Sequence, residues 1–429
     1  MFNLHRFGAI YIIAAFVCLL YTPTQIHAAS KTTYHNPIVY IGADGNVYMT
    51  SLDQPLRTGI LRSNKARFGN VRWSPDSSRF VVAEFTPAFD YDGGKTPITP
   101  KLYLVESGNA PKILSRINIG RPTISAWSPD GSHLAYISDE SPSVKLMSAP
   151  IDGGEVTELG HFAGCIAEGP KPSKEAYLEA EELGASDPFG SEFSINWTPY
   201  GILFGSSCGA TFAMISPDDG TILWKWENRE FGSLPIVSHD GKYALAANNP
   251  SGNSGENEVF SIDLVTGKRT ALMALKNTIP LGWTSDNQEI FYVTQSDGTS
   301  VNGDVAKANI GKKLFDQWPI SGYRATFAIW QIANDGSGRP RQLFQREGYG
   351  LGVLAVMPDN SAIISSFITS SAKRIQAINE DATLEQANAI PDGGIQIISV
   401  PLRNDTPQLK QIALGGQPAI GNGNFEVGN

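Results

Sequence analysis

The stretch WSPDG at residues 127–131, followed by the apolar run LAYI at residues 134–137, decides the fold of this 429-residue chain. Proline presets the backbone angle of a tight turn, aspartate hydrogen bonds to the backbone ahead of it, and glycine tolerates a positive φ. The phrase therefore predicts a strand, a turn and a second strand. Variants of it recur along the chain, at residues 71–76, 125–131, 195–199, 236–241, 281–287 and 355–360.

Each copy is followed by two more alternating strands that a short polar turn joins. Residues 101–105 and 112–114 form one such pair, and residues 144–149 and 156–159 form another. Four short strands per unit, repeated every ~40 to 70 residues, are typical of a β-propeller blade. The sequence therefore predicts an all-β propeller of four-stranded antiparallel blades.

The number of blades depends on the two ends of the chain. Residues 38–41, 46–50 and 56–61 look like the second, third and fourth strands of a unit that lacks its first strand. Six complete units follow, so we expect seven blades; a six-bladed ring with an N-terminal flap is the alternative. Residues 418–427 would supply the missing innermost strand, which would close the ring by pairing the chain ends and leave no exposed edge.

The repeated phrase resembles the TolB-like and WD40-like propeller repeat. The likeness is strong at Trp73, Trp127 and Trp283, is degraded at Val237 and Met357, and covers roughly residues 37–412. The family also includes the propellers of dipeptidyl-peptidase and prolyl-oligopeptidase enzymes. This resemblance implies an architecture and leaves the activity open, because the same repeat serves scaffolds, receptors and enzymes. We interpret its tryptophans as wedges packed between blades.

The N-terminus has the pattern of a secretory signal peptide. Arg6 precedes an apolar run at residues 9–21, and small residues follow at 28–29. The apolar run is too short to span a membrane. We therefore expect residues 1–29 to be removed and residues 30–429 to form a single propeller domain in the periplasm, at the cell surface or outside the cell. Retention of the segment as an uncleaved anchor is the alternative.

Cysteine usage fits an exported protein. Cys18 lies in the signal segment, which leaves Cys165 and Cys208 as an even pair in an oxidising compartment. Both belong at the same end of one blade, so we predict a disulfide between them, with two buried free thiols as the alternative. The formal net charge is -9. An acidic surface repels phosphate backbones, so nucleic acid is not the expected partner.

The long insertions predict where the binding surface lies. In a four-stranded blade, the first-to-second and third-to-fourth turns lie on one face, and the other connections lie on the opposite face. The first class is uniformly short in this chain. Long loops in a compact domain usually carry function or are disordered, and we expect the face that holds them to bind the partner. They span residues 86–100, 161–192, 248–257, 295–326 and 367–394.

Two of these loops contain residue types that are favoured at interfaces. The alternative for each residue is that it only anchors its own loop against the blades. The candidate binding residues are Phe89, Asp90, Tyr91 and Asp92 in the first loop and Trp318, Tyr323 and Arg324 in the fourth.

Catalytic and metal motifs are weak. The GSSCG stretch at residues 205–209 matches a nucleophile pattern, but that pattern needs a strand-to-helix elbow, and here strands flank it. His133 and His239 fall on the face opposite His161, so they cannot converge with His161 at one channel mouth to hold a metal. Residues 90–94 have the spacing of a partial calcium loop but lack the later ligands. We therefore predict no catalytic residue, metal or cofactor.

Two functions of different class remain. The first is an exported, non-catalytic propeller that binds a protein or glycan with its long-loop face. Resemblance to TolB-like proteins implies an assembly factor of this kind, although the extra N-terminal α/β domain expected of a full TolB is not seen. The second is a secreted hydrolase or lyase that acts on a glycan at the channel mouth, where two carboxylates from different blades would have to meet.

Overall fold

The computed structural model describes most of the chain between residues 32 and 427. The described residues are 32–42, 45–54, 57–63, 67–85, 101–114, 117, 125–140, 143–163, 193–206, 211–227, 233, 235–248, 256–296, 299–300, 323–348, 350–369, 394–402 and 410–427.

These residues form strands, numbered here in chain order. Their bounds are β1 Thr32–His35, β2 Ile38–Gly42, β3 Val47–Thr50, β4 Thr58–Leu61, β5 Arg67–Trp73, β6 Arg79–Phe85, β7 Lys101–Glu106, β8 Lys112–Ile113, β9 Ser125–Trp127, β10 His133–Glu140, β11 Ser143–Pro150, β12 Thr157–Ala163, β13 Phe193–Thr198, β14 Gly201–Ser206, β15 Thr211–Ile215, β16 Ile222–Glu227, β17 Ile236–Val237, β18 Tyr243–Asn248, β19 Glu256–Asp263, β20 Arg269–Lys276, β21 Thr278–Trp283, β22 Glu289–Gln295, β23 Thr299–Ser300, β24 Tyr323–Ala333, β25 Arg341–Gly348, β26 Gly350–Val356, β27 Ala362–Thr369, β28 Gly394–Pro401, β29 Lys410–Ile420 and β30 Asn424–Val427.

The strands form seven four-stranded antiparallel blades in a ring, which confirms the predicted propeller and its blade count. Blades 2 to 5 each use four consecutive strands, from β5–β8 to β17–β20. Blade 6 uses β21, β22, β24 and β25, and the short β23 pairs with the start of β24. Blade 7 consists of β26 to β28 with the first half of β29, and blade 1 consists of the second half of β29 with β2 to β4.

The ring closes through the long strand β29. Its first half is the outermost strand of blade 7, where Leu414 pairs with Gln396, and its second half is the innermost strand of blade 1, where Ile420 pairs with Ile38. The predicted pairing of the two chain ends is therefore confirmed. The predicted range was wrong, because the closing strand ends at Ile420 and the tail beyond it forms β30. That strand pairs with β1 in a separate two-stranded ribbon, from Thr32 opposite Val427 to His35 opposite Asn424.

The turn chemistry of the repeat is visible at residues 128–133. The Ser128 hydroxyl donates to the Asp130 carboxylate at 2.6 Å, and the Ser132 backbone N–H donates to the same oxygen at 3.0 Å. These hydrogen bonds lower the pKa of Asp130 to about 2. Gly131 has φ +71° and Asn287 takes the same place in blade 6 with φ +59°, as the turn requires. Sequence-local hydrogen bonding thus explains why the phrase predicted strand pairs well.

The tryptophans of the repeat pack between blades, as predicted. The indole N–H of Trp127 in blade 3 donates to the Arg72 carbonyl on the inner strand of blade 2 at 2.9 Å. The indole N–H of Trp283 in blade 6 donates to the Ile236 carbonyl of blade 5 at 3.0 Å. Both side chains are buried. These two wedges therefore add a directional bond to the apolar contact between neighbouring blades, whereas the indole nitrogen of Trp73 is buried without a hydrogen-bond partner among the described residues.

The hydrophobic core is divided into layers, each between two neighbouring blades; such a layer is called a seam below. The two faces of one strand enter different seams. In β10, Leu134 and Tyr136 pack against blade 2, whereas Ala135 and Ile137 pack against blade 4. The second strands of the blades are therefore apolar on both faces, and they read as continuous apolar runs in the sequence.

Candidate functional site

Strand order places the long connections together. The β6–β7, β12–β13, β18–β19, β22–β24 and β27–β28 connections all join strand ends at one face of the ring, because each is a second-to-third or a blade-to-blade connection. We call this the long-loop face. The opposite face carries the first-to-second and third-to-fourth turns, and we call it the turn face.

The turn face is cross-linked between neighbouring blades. Arg79 of blade 2 donates to the Gly131 carbonyl of blade 3 at 2.7 Å. The backbone N–H of His239 in blade 5 donates to the Asn287 amide oxygen of blade 6 at 2.8 Å, and the N–H of Ser285 in blade 6 reaches Asn360 of blade 7 at the same distance. These bonds join consecutive turns, so the turn residues contribute to the rigidity of the ring.

The candidate binding residues fall mostly outside the described residues. Phe89, Asp90, Tyr91, Asp92 and Trp318 lie there, as do Cys165 and Cys208 of the predicted disulfide and the signal segment 1–29. Tyr323 and Arg324 begin β24, where their backbones pair with Ser300 and Thr299 of β23 at the long-loop face. The binding roles, the disulfide and the cleavage therefore stay predictions.

The structure adds a set of residues at this face, which we call the seam-end residues. Each lies on the second strand of its blade, at or near the long-loop end. It is four positions after the residue that pairs with the wedge position, as Glu84 is after Phe80, the partner of Trp73. Five blades carry a polar residue there, whereas blade 1 has Gly42 and blade 7 has Phe367. The polar seam-end residues are Glu84, Ser138, Ser206, Asn248 and Thr294.

Glu84 of blade 2 is held by two side chains of the third strand. The Tyr103 hydroxyl donates to its Oε2 at 2.7 Å, and the Lys101 ammonium lies 3.6 Å from the same oxygen. Burial, together with the hydrogen bond and the negative charge of Glu84, raises the pKa of Tyr103 to about 12. The phenol is therefore protonated and available as a donor at neutral pH.

Blade 6 repeats this arrangement with different residues. Trp330 occupies the position of Tyr103, because Tyr292 pairs with Trp330 as Val82 pairs with Tyr103. Its indole N–H donates to the Thr294 hydroxyl at 2.9 Å. An aromatic donor on the third strand thus orients the seam-end residue in both blades.

In blade 5 the seam-end residue is Asn248, whose side-chain amide leaves one hydrogen-bond acceptor unused in the described part of the chain. The Asn248 side-chain nitrogen donates to Glu258 Oε2 at 3.2 Å, and Glu258 is ion-paired with Arg269. Among the described residues, the Asn248 side-chain oxygen is buried and has no hydrogen-bond partner. A buried acceptor of this kind costs free energy unless a donor satisfies it, so it favours a ligand group or an ordered water.

The walls of the central channel differ from the seam ends in charge. Across the described inner strands, from β5 to β26 and the second half of β29, the charged residues are Arg67 and Arg72, and none is Asp or Glu. Solvent reaches the Arg72 side chain, but partial desolvation by the surrounding strands lowers its pKa. The inner strands by themselves therefore do not supply a pair of carboxylates.

The described part of the chain has no group of three or more His, Cys, Asp or Glu side chains that could hold a metal ion. It also has no helix that is long and apolar enough to cross a membrane. His133 is the first residue of β10 at the turn face, with its Nδ1 2.7 Å from the Ser132 hydroxyl, whereas His161 lies on β12, 3.2 Å from Glu158.

Sequence reasoning missed the seam-end residues, although a signal was present. In every complete unit, the residue four places into the apolar run of the second strand is the seam-end residue, so an internal alignment of the repeats would have shown that it is polar in five of the blades. The partner that orients it was not visible in the same way, because Tyr103 and Trp330 share a position but not a residue type.

Comparison with known proteins bears on the fold alone. No protein-family profile matches the chain, and no curated protein matches it. A functionally unknown protein from Desulfotomaculum acetoxidans DSM 771 is 14% identical, with a TM-score of 0.50 over 91% of this chain and 100% of that one. TolB from Acinetobacter baumannii is 15% identical, with a TM-score of 0.41; the match covers 72% of this chain but only 63% of the TolB chain.

An enzyme is among the similar structures too. Hydrazine synthase from Kuenenia stuttgartiensis is 13% identical, with a TM-score of 0.43 over 82% of this chain and 97% of that one. The seven blades themselves confirm the predicted resemblance to TolB-like propellers for the architecture, and the relation to peptidase propellers stays a prediction. Because one fold can serve many functions, the function of this protein must be argued from its own surfaces.

Proposed function

We propose that this protein is an exported, non-catalytic β-propeller that binds a protein or glycan partner through its long-loop face. The observation that carries the proposal is the difference between the two faces. One face consists of short, cross-linked turns, whereas the long connections all leave from the other. A rigid scaffold that presents its long connections together on one side is the usual arrangement of a recognition surface.

The seam-end residues place hydrogen-bonding groups at the base of the long-loop face. Glu84, Asn248 and Thr294 come from three different blades and differ in chemistry: a carboxylate, an amide and a hydroxyl. Each is fixed by a residue of the third strand, so a partner would meet oriented groups and lose less conformational entropy on binding. Such a mixed set of donors and acceptors suits a polar partner, either a protein surface or a glycan.

The first experiment is a pull-down of exported proteins with the purified mature protein, run beside a glycan-binding screen. A loop variant replaces residues 301–322 with a short Gly-Ser turn and leaves β23 and β24 intact. We expect it to lose the partner while keeping the far-ultraviolet circular dichroism and the unfolding midpoint of the parent. The matched control is Asp152→Ser on the turn face, whose side chain is 87% exposed, and it should retain the partner.

Two results would overturn this proposal. If the loop variant captures the same partner with unchanged affinity, the long-loop face is not the binding surface. If the mature protein degrades a polysaccharide, measured as release of reducing ends, the non-catalytic assignment is wrong and the glycan hydrolase or lyase takes its place. In that case the carboxylates would come from outside the described inner strands, for example from Glu84 or from the long loops.

Export is tested separately. The full chain is expressed with a C-terminal tag, and the exported fraction is examined by N-terminal sequencing. We expect a mature N-terminus directly after the small residues at 28–29; an intact N-terminus in the membrane fraction would instead indicate an uncleaved anchor.

A further inference from the structure

Polar and aromatic side chains meet at the long-loop end of the seam between blades 4 and 5. Asn248 is the last residue of β18 and pairs with Glu258 near the start of β19. Both alternate with residues that pack into this seam, such as Ala246 and Phe260. Trp226 enters the same seam from the end of β16 on blade 4. Strand ends from two blades therefore contribute to one place.

Direct contacts join these side chains into one cluster. Asn248 Nδ2 donates to Glu258 Oε2 at 3.2 Å, and Glu258 is ion-paired with Arg269. The Arg269 guanidinium lies over the Phe260 ring, 4.0 Å from its centre. The Phe260 ring in turn stacks with the Trp226 ring across the seam, with 6.3 Å between the ring centres. We call this group the seam 4–5 cluster: Asn248, Glu258, Arg269, Phe260 and Trp226.

The cluster is buried at its centre and open at its margin. Phe260 is fully buried and Asn248 is 5% exposed. The side chains of Glu258 and Arg269 are 34% and 24% exposed, and Trp226 is half-buried. Solvent therefore reaches the carboxylate, the guanidinium and the indole, and these groups are accessible to a ligand as well.

The unmet hydrogen bond of the cluster points to a ligand that donates. The Asn248 side-chain oxygen has no hydrogen-bond partner in the described part of the protein, although the nitrogen of the same amide is held by Glu258. A hydroxyl of a ligand, or a water that the ligand holds in place, would supply the donor. The half-buried Trp226 ring adds an apolar face beside these polar groups, a combination that is typical of ligand sites.

The charges at the cluster are balanced. On the strand sides of blades 4 and 5 that face this seam, the described charged side chains are Glu258 and Arg269, and they neutralise each other. Lys225 of β16 and Asp263 of β19 lie on the opposite sides of their strands, and the charged turn residues of both blades lie at the turn face. A charged ligand would meet a like charge beside the opposite one, so the site favours a neutral ligand.

We infer that the seam 4–5 cluster binds a neutral sugar residue of a glycan. A sugar hydroxyl both donates and accepts hydrogen bonds, which suits an amide oxygen next to an ion pair. The C–H face of a sugar ring is apolar and suits the Trp226 ring. A peptide that offers lysine or arginine fits less well, because Arg269 would repel its charge. This inference rests on the function proposed above and narrows its partner to a glycan.

The test is an array of neutral oligosaccharides of glucose, galactose, mannose and N-acetylglucosamine, with oligogalacturonates as charged members, probed with the purified mature protein. We expect neutral members to bind and the oligogalacturonates to stay unbound. The bound oligosaccharides are then titrated by isothermal titration calorimetry. Asn248→Leu removes the unpartnered oxygen with little change in side-chain shape. It should bind about tenfold more weakly and keep the unfolding midpoint of the parent.

A second variant and a control test the same site. Trp226→Leu removes the aromatic face but keeps an apolar side chain against Phe260, so it should also weaken binding about tenfold. It decides the question if Asn248→Leu does not fold. The matched control is Lys225→Gln, at the exposed neighbouring position on the opposite side of β16, and it should bind as the parent does.

The inference is wrong if no oligosaccharide binds, if the oligogalacturonates bind best, or if folded Asn248→Leu binds as tightly as the parent. In the last case a water alone satisfies the Asn248 oxygen. A parent that captures a protein but no sugar overturns the glycan assignment and leaves the long-loop face as the binding surface. Sugar binding that the Gly-Ser loop variant of residues 301–322 loses and Asn248→Leu keeps would place the glycan elsewhere on that face. If the parent captures neither protein nor glycan, the function proposed above fails as well.

Discussion

The two faces of the ring are built from the same strands but are organised in opposite ways. On the turn face, short connections repeat the same hydrogen bonds in several blades, and side chains such as Arg79 and Asn287 tie one turn to the next. On the long-loop face, the seam-end residue changes in chemistry around the ring, from the carboxylate of Glu84 to the phenyl ring of Phe367, and only blades 3 and 4 share a residue type, serine. The comparison teaches that the repeat specifies the scaffold from one side and leaves the other side free to vary.

We expect the largest loss of folding stability when a wedge tryptophan near the turn face is replaced. Trp127→Ala removes a buried side chain that is 6% exposed and its hydrogen bond to the Arg72 carbonyl. Deleting a large buried aromatic typically costs about 3–5 kcal/mol, so the urea midpoint should fall strongly. The control Ile113→Ala, at an exposed site, should stay within about 0.5 kcal/mol. A cost for Trp127→Ala below about 1 kcal/mol would mean that the wedges do not hold the blades together.

This division also explains what the sequence could reveal. The turn of residues 128–133 is predictable because its partners lie within five residues of one another, so its pattern is complete in a short window. The closing half of β29 and the β1–β30 ribbon are not predictable in this way. In the ribbon, His35 pairs with Asn424 across almost the whole chain, and neither short strand carries a turn signal. The pairing of chain ends was therefore predictable from the missing strand, but its register was not.

The candidate site was less predictable than the fold for a related reason. The aromatic and acidic residues of the long loops could be named by type, but nothing in a loop sequence fixes where its side chains lie. The seam-end residues occupy a regular position in the repeats, yet what orients Glu84 is a phenol and what orients Thr294 is an indole. Equivalent geometry from different residue types is invisible to a search for motifs.

A smaller effect is expected at the long-loop end of a seam. Tyr103→Phe removes the donor to Glu84 but leaves Lys101 as a partner and the ring packing in place, so the cost should be about 1 kcal/mol. The comparison between the faces predicts that partner binding changes more than stability does here. Chemical denaturation and a binding assay on the same samples check this. A loss of stability as large as that of Trp127→Ala would show that the seam ends are part of the scaffold after all.

Tyr103 also makes the folding stability depend on pH in the alkaline range. Its pKa is raised from 10.0 to about 12, which means that folding favours the protonated phenol. That contribution to stability is fully present below pH 10 and is lost as the pH rises toward 12. Parent and Tyr103→Phe should therefore differ in urea midpoint below pH 10 and converge above it. If the difference in urea midpoint between parent and variant is the same below pH 10 and near pH 12, Tyr103 does not titrate with the raised pKa.

We expect the smallest change in folding stability at one turn of the turn face, where the effect depends on acidic pH. The pKa of Asp130 is lowered from 3.8 to about 2 by the hydrogen bonds of Ser128 and Ser132, so folding favours its ionised form. The resulting stability is present above pH 3.8 and is lost as the pH falls toward 2. Because solvent screens this exposed carboxylate, Asp130→Asn should cost only about 0.5 kcal/mol at neutral pH.

The urea midpoint of the variant should approach that of the parent as the pH is lowered. A variant that stays less stable than the parent by the same amount at low pH would show that Asp130 acts through the shape of the turn, and its charge would then have no part in holding the turn face.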